Sequence, residues 1–140
     1  MDTGSMDTGS IDTGNVGTGI IGVNTIGIPV EDQDTALAFY RDALGFDLLV
    51  DAPLPTGGRW IMLAPPGSAV SVSLVAASDD VPAGIETGIR FESADAGATH
   101  EELTRRGVDV GPLLRWPGVP AMFQARDADG NRFEVVERAR

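Results

Sequence analysis

The sequence contains one structural pattern twice, and this internal repeat constrains the fold more than any other feature. The segments TIGIPVED and GIRFESAD align at an offset of 63 residues, which pairs Thr25 with Gly88. GSAVSVSLV and GNRFEVVER align at the same offset, which pairs Ser71 with Glu134. Each copy has the pattern of a strand, a helix and three further strands. Equal offsets at both ends of the pattern indicate a tandem duplication of a βαβββ unit.

Each copy carries the signals of one helix. In the first copy, Asp32 or Asp34 is placed to cap a helix whose apolar residues recur at helical spacing, and Gly45 ends it. In the second copy, a helix is predicted from about 95 to 106, ended by Gly107. The remaining strands are predicted in these segments: FDLLV, RWIMLA, AVSVSLVA, VDVGPLL, PAMFQAR and NRFEVVE.

The chain divides into a tail and one domain. Residues 1–20 repeat MDTGS, MDTGS and IDTGN without helical or strand periodicity, which predicts a flexible tail. Residues 21–140 form a single domain, with module one at about 21–78 and module two at about 85–138. We therefore predict an α+β fold in which two tandem βαβββ modules form a curved mixed sheet with a concave cleft and helices outside.

The Asp-Thr-Gly-Ser repeat also occurs as the catalytic signature of aspartic proteases. Those enzymes hold two aspartates in rigid loops so that the pair shares one proton. A repeat on a flexible tail cannot provide this arrangement, so a protease is not predicted.

Composition excludes several classes of partner. The net charge of −11 is unfavourable for nucleic acid and for anionic membranes, whose phosphates require Lys and Arg. No apolar run approaches the roughly 20 residues that span a bilayer. The chain has no cysteine, which removes disulfides and thiolate metal sites and makes the cytoplasm the default location.

Two segments carry a resemblance to a known family. IPVEDQDTALAFYRDALGF and DADGNRFEVVE resemble the first helical unit and the closing strand of the vicinal oxygen chelate superfamily. That superfamily includes glyoxalase I, extradiol dioxygenases and bleomycin-resistance proteins, and the resemblance covers about residues 21–138. It implies clefts formed between two copies of the chain, and hence a homodimer.

The resemblance also implies where a metal would bind, on the first and last strand of each copy. The matching positions here are Thr25, Ser71, Gly88 and Glu134. Only Glu134 is a strong ligand, whereas a divalent transition metal generally needs three or four donors. The only histidine, His100, is predicted on the solvated surface of the second helix. We therefore predict no metal and no cofactor.

Alternation along the strands suggests the lining of the cleft. Arg90 and Glu134 are predicted to face the same space, where an ion pair would offset the carboxylate. The predicted ligand-binding residues combine aromatic and methionine side chains with a few polar groups. They are Thr25, Trp60, Met62, Ser71, Ser73, Arg90, Trp116, Met122, Phe123, Gln124 and Glu134.

Two kinds of function remain open from the sequence. The first is a metal-free protein that binds a small organic ligand, sequestering a bulky aromatic antibiotic or metabolite in a dimer cleft. The second is an enzyme of the same superfamily, either a metal-independent isomerase or cyclase with Glu134 and Arg90 as its catalytic residues, or a metal-dependent lyase or dioxygenase. The ion pair with Arg90 stabilises the ionised carboxylate and favours the binding function. Tyr40 is predicted to anchor its helix to the sheet, with a phenolic catalyst as the alternative.

Overall fold

The computed structural model describes residues 17–139. Most of the predicted tail, residues 1–16, lies outside the described residues, as does Arg140. Residues 17–24 are exposed and contain no helix or strand. Module one then contains the following elements: β1 (Thr25–Val30), α1 (Gln33–Ala38), β2 (Asp47–Pro53), β3 (Arg59–Ala64) and β4 (Ser71–Ala76). Module two contains β5 (Glu86–Ser93), α2 (Ala96–Arg105), β6 (Asp109–Val110), β7 (Met122–Arg126) and β8 (Arg132–Glu137).

The strands form two mixed four-stranded sheets with the same topology. The strand order is β1-β4-β3-β2 in sheet A and β5-β8-β7-β6 in sheet B. The first and last strands of each module pair in parallel, and the other neighbours are antiparallel. The predicted α+β fold of two tandem βαβββ modules is therefore confirmed, with two separate sheets that do not close.

The helix boundaries follow from local chemistry. The side chain of Asp32 accepts hydrogen bonds from the backbone N–H groups of Asp34 and Thr35, at 2.9 and 3.1 Å, so Asp32 is the N-cap of α1. Asp95 caps α2 by accepting from Ala98 N at 3.0 Å. A π-helical turn, Phe39–Ala43, extends α1 toward Gly45, whose φ of 75° is one that glycine adopts readily.

One hydrophobic core joins the two modules. It contains Ile28 and Leu63 of sheet A, Leu37 and Leu103 of the two helices, and Phe133 of sheet B. Because the buried faces of both sheets contribute to this common core, the opposite faces point away from it. We call these the open face of sheet A and the open face of sheet B.

The turn between β7 and β8 makes hydrogen bonds that link module two to module one. The Tyr40 hydroxyl donates to Asp127 Oδ2 at 2.7 Å, and Asn131 Nδ2 donates to Pro29 O at 2.8 Å. Asp129 Oδ1 accepts from the backbone N of Glu31 at 2.9 Å. We call this set of three contacts the clasp. It gives the DADGN segment a structural role between the modules.

Two local predictions differ from the structure. The predicted strand VDVGPLL is reduced to Asp109–Val110 and a single bridge at Leu114, because Pro112 has no N–H to donate to a ladder. The register of the second parallel pair also changes. Thr25 pairs with Ser71, whereas Glu134 pairs with Arg90 instead of Gly88. The pairing shifts between Glu86 and Arg90, around Gly88 with a φ of 74°.

Within residues 17–139, no helix is long and apolar enough to cross a membrane.

Candidate functional site

The open face of sheet A combines large apolar side chains with small hydroxyls. The strand register places Thr25 beside Ser71 and Met62 beside Ser73, and alternation adds Trp60 to the same side. Trp60 is 37% exposed and Met62 is half-buried, whereas both serines are buried. This face therefore offers an aromatic and thioether surface beside hydroxyl groups.

The Thr25 hydroxyl differs from its neighbours in lacking a partner. Its oxygen is buried and makes no hydrogen bond within the described part of the chain. The Ser71 hydroxyl beside it donates to Asn24 O at 3.2 Å. A buried hydroxyl left unpaired costs about 1–3 kcal/mol, so Thr25 has an unused polar group next to the apolar surface.

The open face of sheet B is charged and internally compensated. Arg90 Nε lies 2.9 Å from Glu134 Oε1, as predicted for this pair, and Gln124 is the neighbour of Glu134 on β7. Three further ion pairs lie on or beside this face: Arg132–Glu86 at 3.4 Å, Arg138–Glu92 at 3.5 Å and Arg126–Asp109 at 3.3 Å. Each carboxylate in these pairs contacts an arginine, so the face attracts polar groups without a large excess of either charge.

The residues at the implied metal positions do not fit a divalent metal. In the described range 17–139, no three His, Cys, Asp or Glu side chains are grouped closely enough to hold one. Thr25 and Ser71 supply only neutral hydroxyls, Gly88 supplies no side chain, and Glu134 already contacts the guanidinium of Arg90. The donor set therefore lacks the charge and the ligand number of a metal site.

The structure separates the predicted binding residues into groups. Five lie on the open face of sheet A: Thr25, Trp60, Met62, Ser71 and Ser73. Four lie on the open face of sheet B: Arg90, Met122, Gln124 and Glu134. Trp116 is 55% exposed in the loop between β6 and β7. Phe123 is 1% exposed in the core, because alternation turns it away from both of its neighbours, Met122 and Gln124.

One groove touches residues of both modules. It has a volume of about 670 Å³ and is lined by Ser71 of β4 and Arg90 of β5, together with the Pro65–Val70 connection. Glu92 and Arg138 line its other side. The sequence prediction did not include these last two residues or the PPGS turn. The Pro-Pro-Gly sequence predicts a loop, but it does not predict which residues that loop contacts. Nothing else in the sequence indicated that Glu92 and Arg138 line the groove.

Tyr40 and His100 have structural contacts outside the two open faces. Burial raises the pKa of the Tyr40 hydroxyl well above its usual range, and the charge and hydrogen bond of Asp127 raise it further. The predicted solvated position of His100 was wrong. Its ring is half-buried, packs edge-on against Phe123 with centroids 4.9 Å apart, and bonds Gly111 O through Nε2 at 2.8 Å. Both residues hold elements together, and neither is free to react.

The two tandem βαβββ modules, each with its own four-stranded mixed sheet, define the class of α+β fold. The profile of the Glyoxalase/Bleomycin resistance protein/Dioxygenase superfamily matches residues 22–135. The chain belongs to this superfamily.

The chain is similar to other proteins in sequence and in structure. TnmS3, an antibiotic binding protein from Streptomyces sp. CB03234, is 32% identical, with a TM-score of 0.79 over 88% of this chain and 100% of that chain. A superfamily member from Sphaerobacter thermophilus is 34% identical, with a TM-score of 0.78 over 85% of this chain and 98% of that chain. The Bacillus subtilis protein YetH is 29% identical over 116 residues, covering 77% of this chain and 91% of YetH.

Proposed function

We propose that this protein is a metal-free binding protein that sequesters a bulky, partly aromatic antibiotic or metabolite. The main support is its 32% identity, over 88% of the chain, to a protein described as antibiotic binding. The residues at the implied metal positions agree with this proposal, because they include one carboxylate and that carboxylate contacts an arginine. The absence of cysteine fits a protein that acts in the cytoplasm.

The open face of sheet A provides the main contact surface. Trp60 and Met62 offer polarizable area to a flat ring system, and aromatic stacking contributes about 0.5–1.5 kcal/mol beyond burial. The unpaired hydroxyl of Thr25 is available for a polar atom of the ligand. A few fixed polar groups on an apolar surface are typical of small-molecule sites.

The site is proposed to be completed by a second copy of the chain. Within one chain the groove reaches Ser71 and Arg90 but is not lined by Trp60, Met62, Gln124 or Glu134, so a second chain is proposed to bring these side chains together. In such a homodimer, Trp60 and Met62 of one protomer face the Arg90–Glu134 pair and Gln124 of the other. The twofold symmetry of a homodimer then gives two equivalent clefts.

The mechanism is mass action. Binding lowers the concentration of free ligand by the amount of complex formed, and no bond of the ligand changes. The Arg90–Glu134 contact supports binding over base catalysis, because the carboxylate that a base would use already contacts the guanidinium of Arg90. Its side chains would instead orient polar groups of the ligand.

Tryptophan fluorescence tests this function. The chain has two tryptophans, so in Trp116→Phe the signal comes from Trp60 alone. Titration of that variant with a panel of bulky aromatic antibiotics, including bleomycin, should give saturable quenching by at least one member. Mass spectrometry should then recover that ligand unchanged. The reciprocal variant, Trp60→Phe, is the control, and its remaining Trp116 signal should respond less.

Two results would contradict the proposal. One is chemical conversion of the bound ligand by the purified protein. The other is binding that disappears after treatment with a chelator and returns with a divalent metal.

A further inference from the structure

The two modules meet along two seams that the internal duplication relates to each other. In the first seam, the clasp joins Asp127, Asp129 and Asn131 of module two to the π-helical turn after α1 and to the end of β1. The offset of 63 residues assigns a counterpart to each partner in the second seam. There the turn between β3 and β4 takes the place of the DADGN turn, and Leu103 takes the place of Tyr40.

The second seam has no residues that could form the same clasp. The counterparts of Asp127, Asp129 and Asn131 are Ala64, Pro66 and Ser68. Neither Ala64 nor Pro66 has a side chain that accepts a hydrogen bond, and the hydroxyl of Ser68 bonds locally to Val70 O at 2.9 Å. The polar contacts that close the first seam are therefore replaced by apolar and locally bonded groups.

The space left at this seam is an apolar pocket. It has a volume of about 200 Å³ beside Pro65 and Pro66, and its walls come from α2, from sheet B and from two connections of module one. The main apolar residues are Leu44, Phe46, Phe91, Leu103, Phe133 and Val135. An enclosed apolar cavity of about 150 Å³ lined by Leu, Ile and Phe takes up benzene, and this pocket has similar apolar walls but is open to solvent on one side.

In the first seam, the Tyr40 side chain occupies the position that corresponds to this pocket. There the Tyr40 ring is fully buried, with ring centroids 5.2 Å from Phe39 and 5.9 Å from Phe46. In the second seam, Leu103 provides a smaller side chain without a ring. The counterparts of Phe39 and Phe46 are Glu102 and Asp109. The rings beside this pocket therefore come from other positions: Phe91 lies edge-on to Phe46 at 5.2 Å and to Phe133 at 5.3 Å.

The pocket adjoins the larger groove. Pro65, Pro66, Phe91 and Glu92 line both spaces, and Glu92 is paired with Arg138 at the groove. Ser93 and Thr99 supply the polar atoms of the pocket wall, with their hydroxyl oxygens 2.6 Å apart. A ligand could therefore place a ring among the phenylalanines and a polar substituent toward the groove.

We propose that this seam pocket is a second binding site, for a small aromatic ring system that carries one polar group. The ring takes the place that the Tyr40 side chain occupies in the related seam. The site is separate from the open face of sheet A, because Leu103, Phe133 and Val135 belong to the common core. It is thus independent of the function proposed above and can be tested apart from it.

Indole is a suitable probe, since it combines an aromatic ring system with one N–H donor. Titration of the full chain with indole, followed by amide NMR resonances, should show saturable changes at low-millimolar concentration. The largest changes should fall at Ser93, Thr99 and Leu103. Changes confined to strands β3 and β7, or no saturable change, would overturn the proposal.

A filling variant sharpens this test. Leu103→Phe should supply the missing ring and weaken indole binding at least about tenfold, which corresponds to about 1.4 kcal/mol. Leu103→Met keeps the volume similar and should bind indole as the unaltered chain does. Met62→Ala, on the open face of sheet A, should leave indole binding unchanged while weakening the binding of a sequestered antibiotic.

The Leu103→Phe and Met62→Ala variants each have an outcome that decides for or against the seam pocket. Unchanged indole affinity in folded Leu103→Phe would contradict the proposal. If that variant fails to fold, the position of the resonance changes in the unaltered chain decides between the seam pocket and the open faces. Loss of antibiotic binding in Met62→Ala with indole binding retained separates the two sites.

Discussion

The guanidinium Nε of Arg90 lies 2.9 Å from the carboxylate Oε1 of Glu134, on neighbouring parallel strands. Glu134 is the one strong donor at the positions that the superfamily resemblance implies for a metal. The contact exists because the strand pairing shifts around Gly88 and brings Arg90 to the place that the internal repeat assigns to that glycine. The cation beside the Glu134 carboxylate is therefore the guanidinium of Arg90.

Replacing Glu134 with Gln should change stability and binding only modestly. Arg90 is 68% exposed and Glu134 is 31% exposed, and ion pairs of this kind contribute up to about 1 kcal/mol. Urea denaturation should show a loss of unfolding free energy within that range. The affinity for a sequestered ligand should fall less than about tenfold. The matched control is Glu86→Gln, which removes the looser 3.4 Å contact with Arg132. Complete loss of an activity in Glu134→Gln alone would indicate catalysis.

Tyr40 should resist ionisation at alkaline pH. Its pKa is raised far above the usual value near 10, first by burial and then by the charge and hydrogen bond of Asp127. Since Tyr40 is the only tyrosine in the chain, near-ultraviolet phenolate absorbance reports this residue alone. The absorbance should rise only when the protein unfolds.

The same shift predicts how stability depends on pH. A folded-state pKa above the unfolded value means that the contribution is complete below about pH 10. Above that pH the unfolded state releases the Tyr40 proton and the folded state retains it, so stability falls as pH rises. A phenolate signal near pH 10 in protein that circular dichroism shows to be folded would contradict this account.

The clasp should contribute more to stability than its counterpart in the second seam. Asn131 is fully buried, donates to Pro29 O and accepts from the backbone N–H groups of Gly84 and Ile85. Asn131→Ala leaves these groups unpaired and should cost about 3 kcal/mol. Ser68→Ala is the matched control at the related position and should cost less than about 1 kcal/mol. Equal losses of unfolding free energy in Asn131→Ala and Ser68→Ala, measured by urea denaturation, would contradict this difference between the two seams.

Local features of the fold were predictable from the sequence, whereas contacts between modules were not. The caps Asp32 and Asp95 depend on neighbours within three residues, and the spacing of apolar residues marks the strands. The Tyr40–Asp127 bond joins residues 87 positions apart, so no local pattern indicates it. The prediction therefore gave DADGN the role of a turn and missed its role as a clasp.

The candidate site shows the same limit. Alternation correctly placed Arg90 beside Glu134, even though the register shift at Gly88 could not be predicted. Alternation also separates Phe123 from Met122 and Gln124, yet the predicted binding set included all three. Choosing the exposed side of β7 required knowledge of which face joins the core.

A homodimer is expected in solution. A second chain is proposed to bring Trp60 and Met62 together with the Arg90–Glu134 pair, so light scattering should give about twice the 14.6 kDa chain mass. Trp60→Glu places a charge on the proposed contact face and should weaken both dimer and ligand binding. Trp116→Glu is the control in an exposed loop. A monomer that binds the ligand with undiminished affinity would contradict the shared cleft.

The most direct test of metal-free binding is one titration of Trp60 fluorescence in Trp116→Phe, made before and after exhaustive treatment with a chelator. Elemental analysis of the same samples reports any metal retained. The account predicts the same ligand affinity in both samples, less than about one metal ion per ten chains, and unchanged ligand recovered afterwards. Loss of affinity with the chelator, restored by one divalent metal per chain, would contradict it.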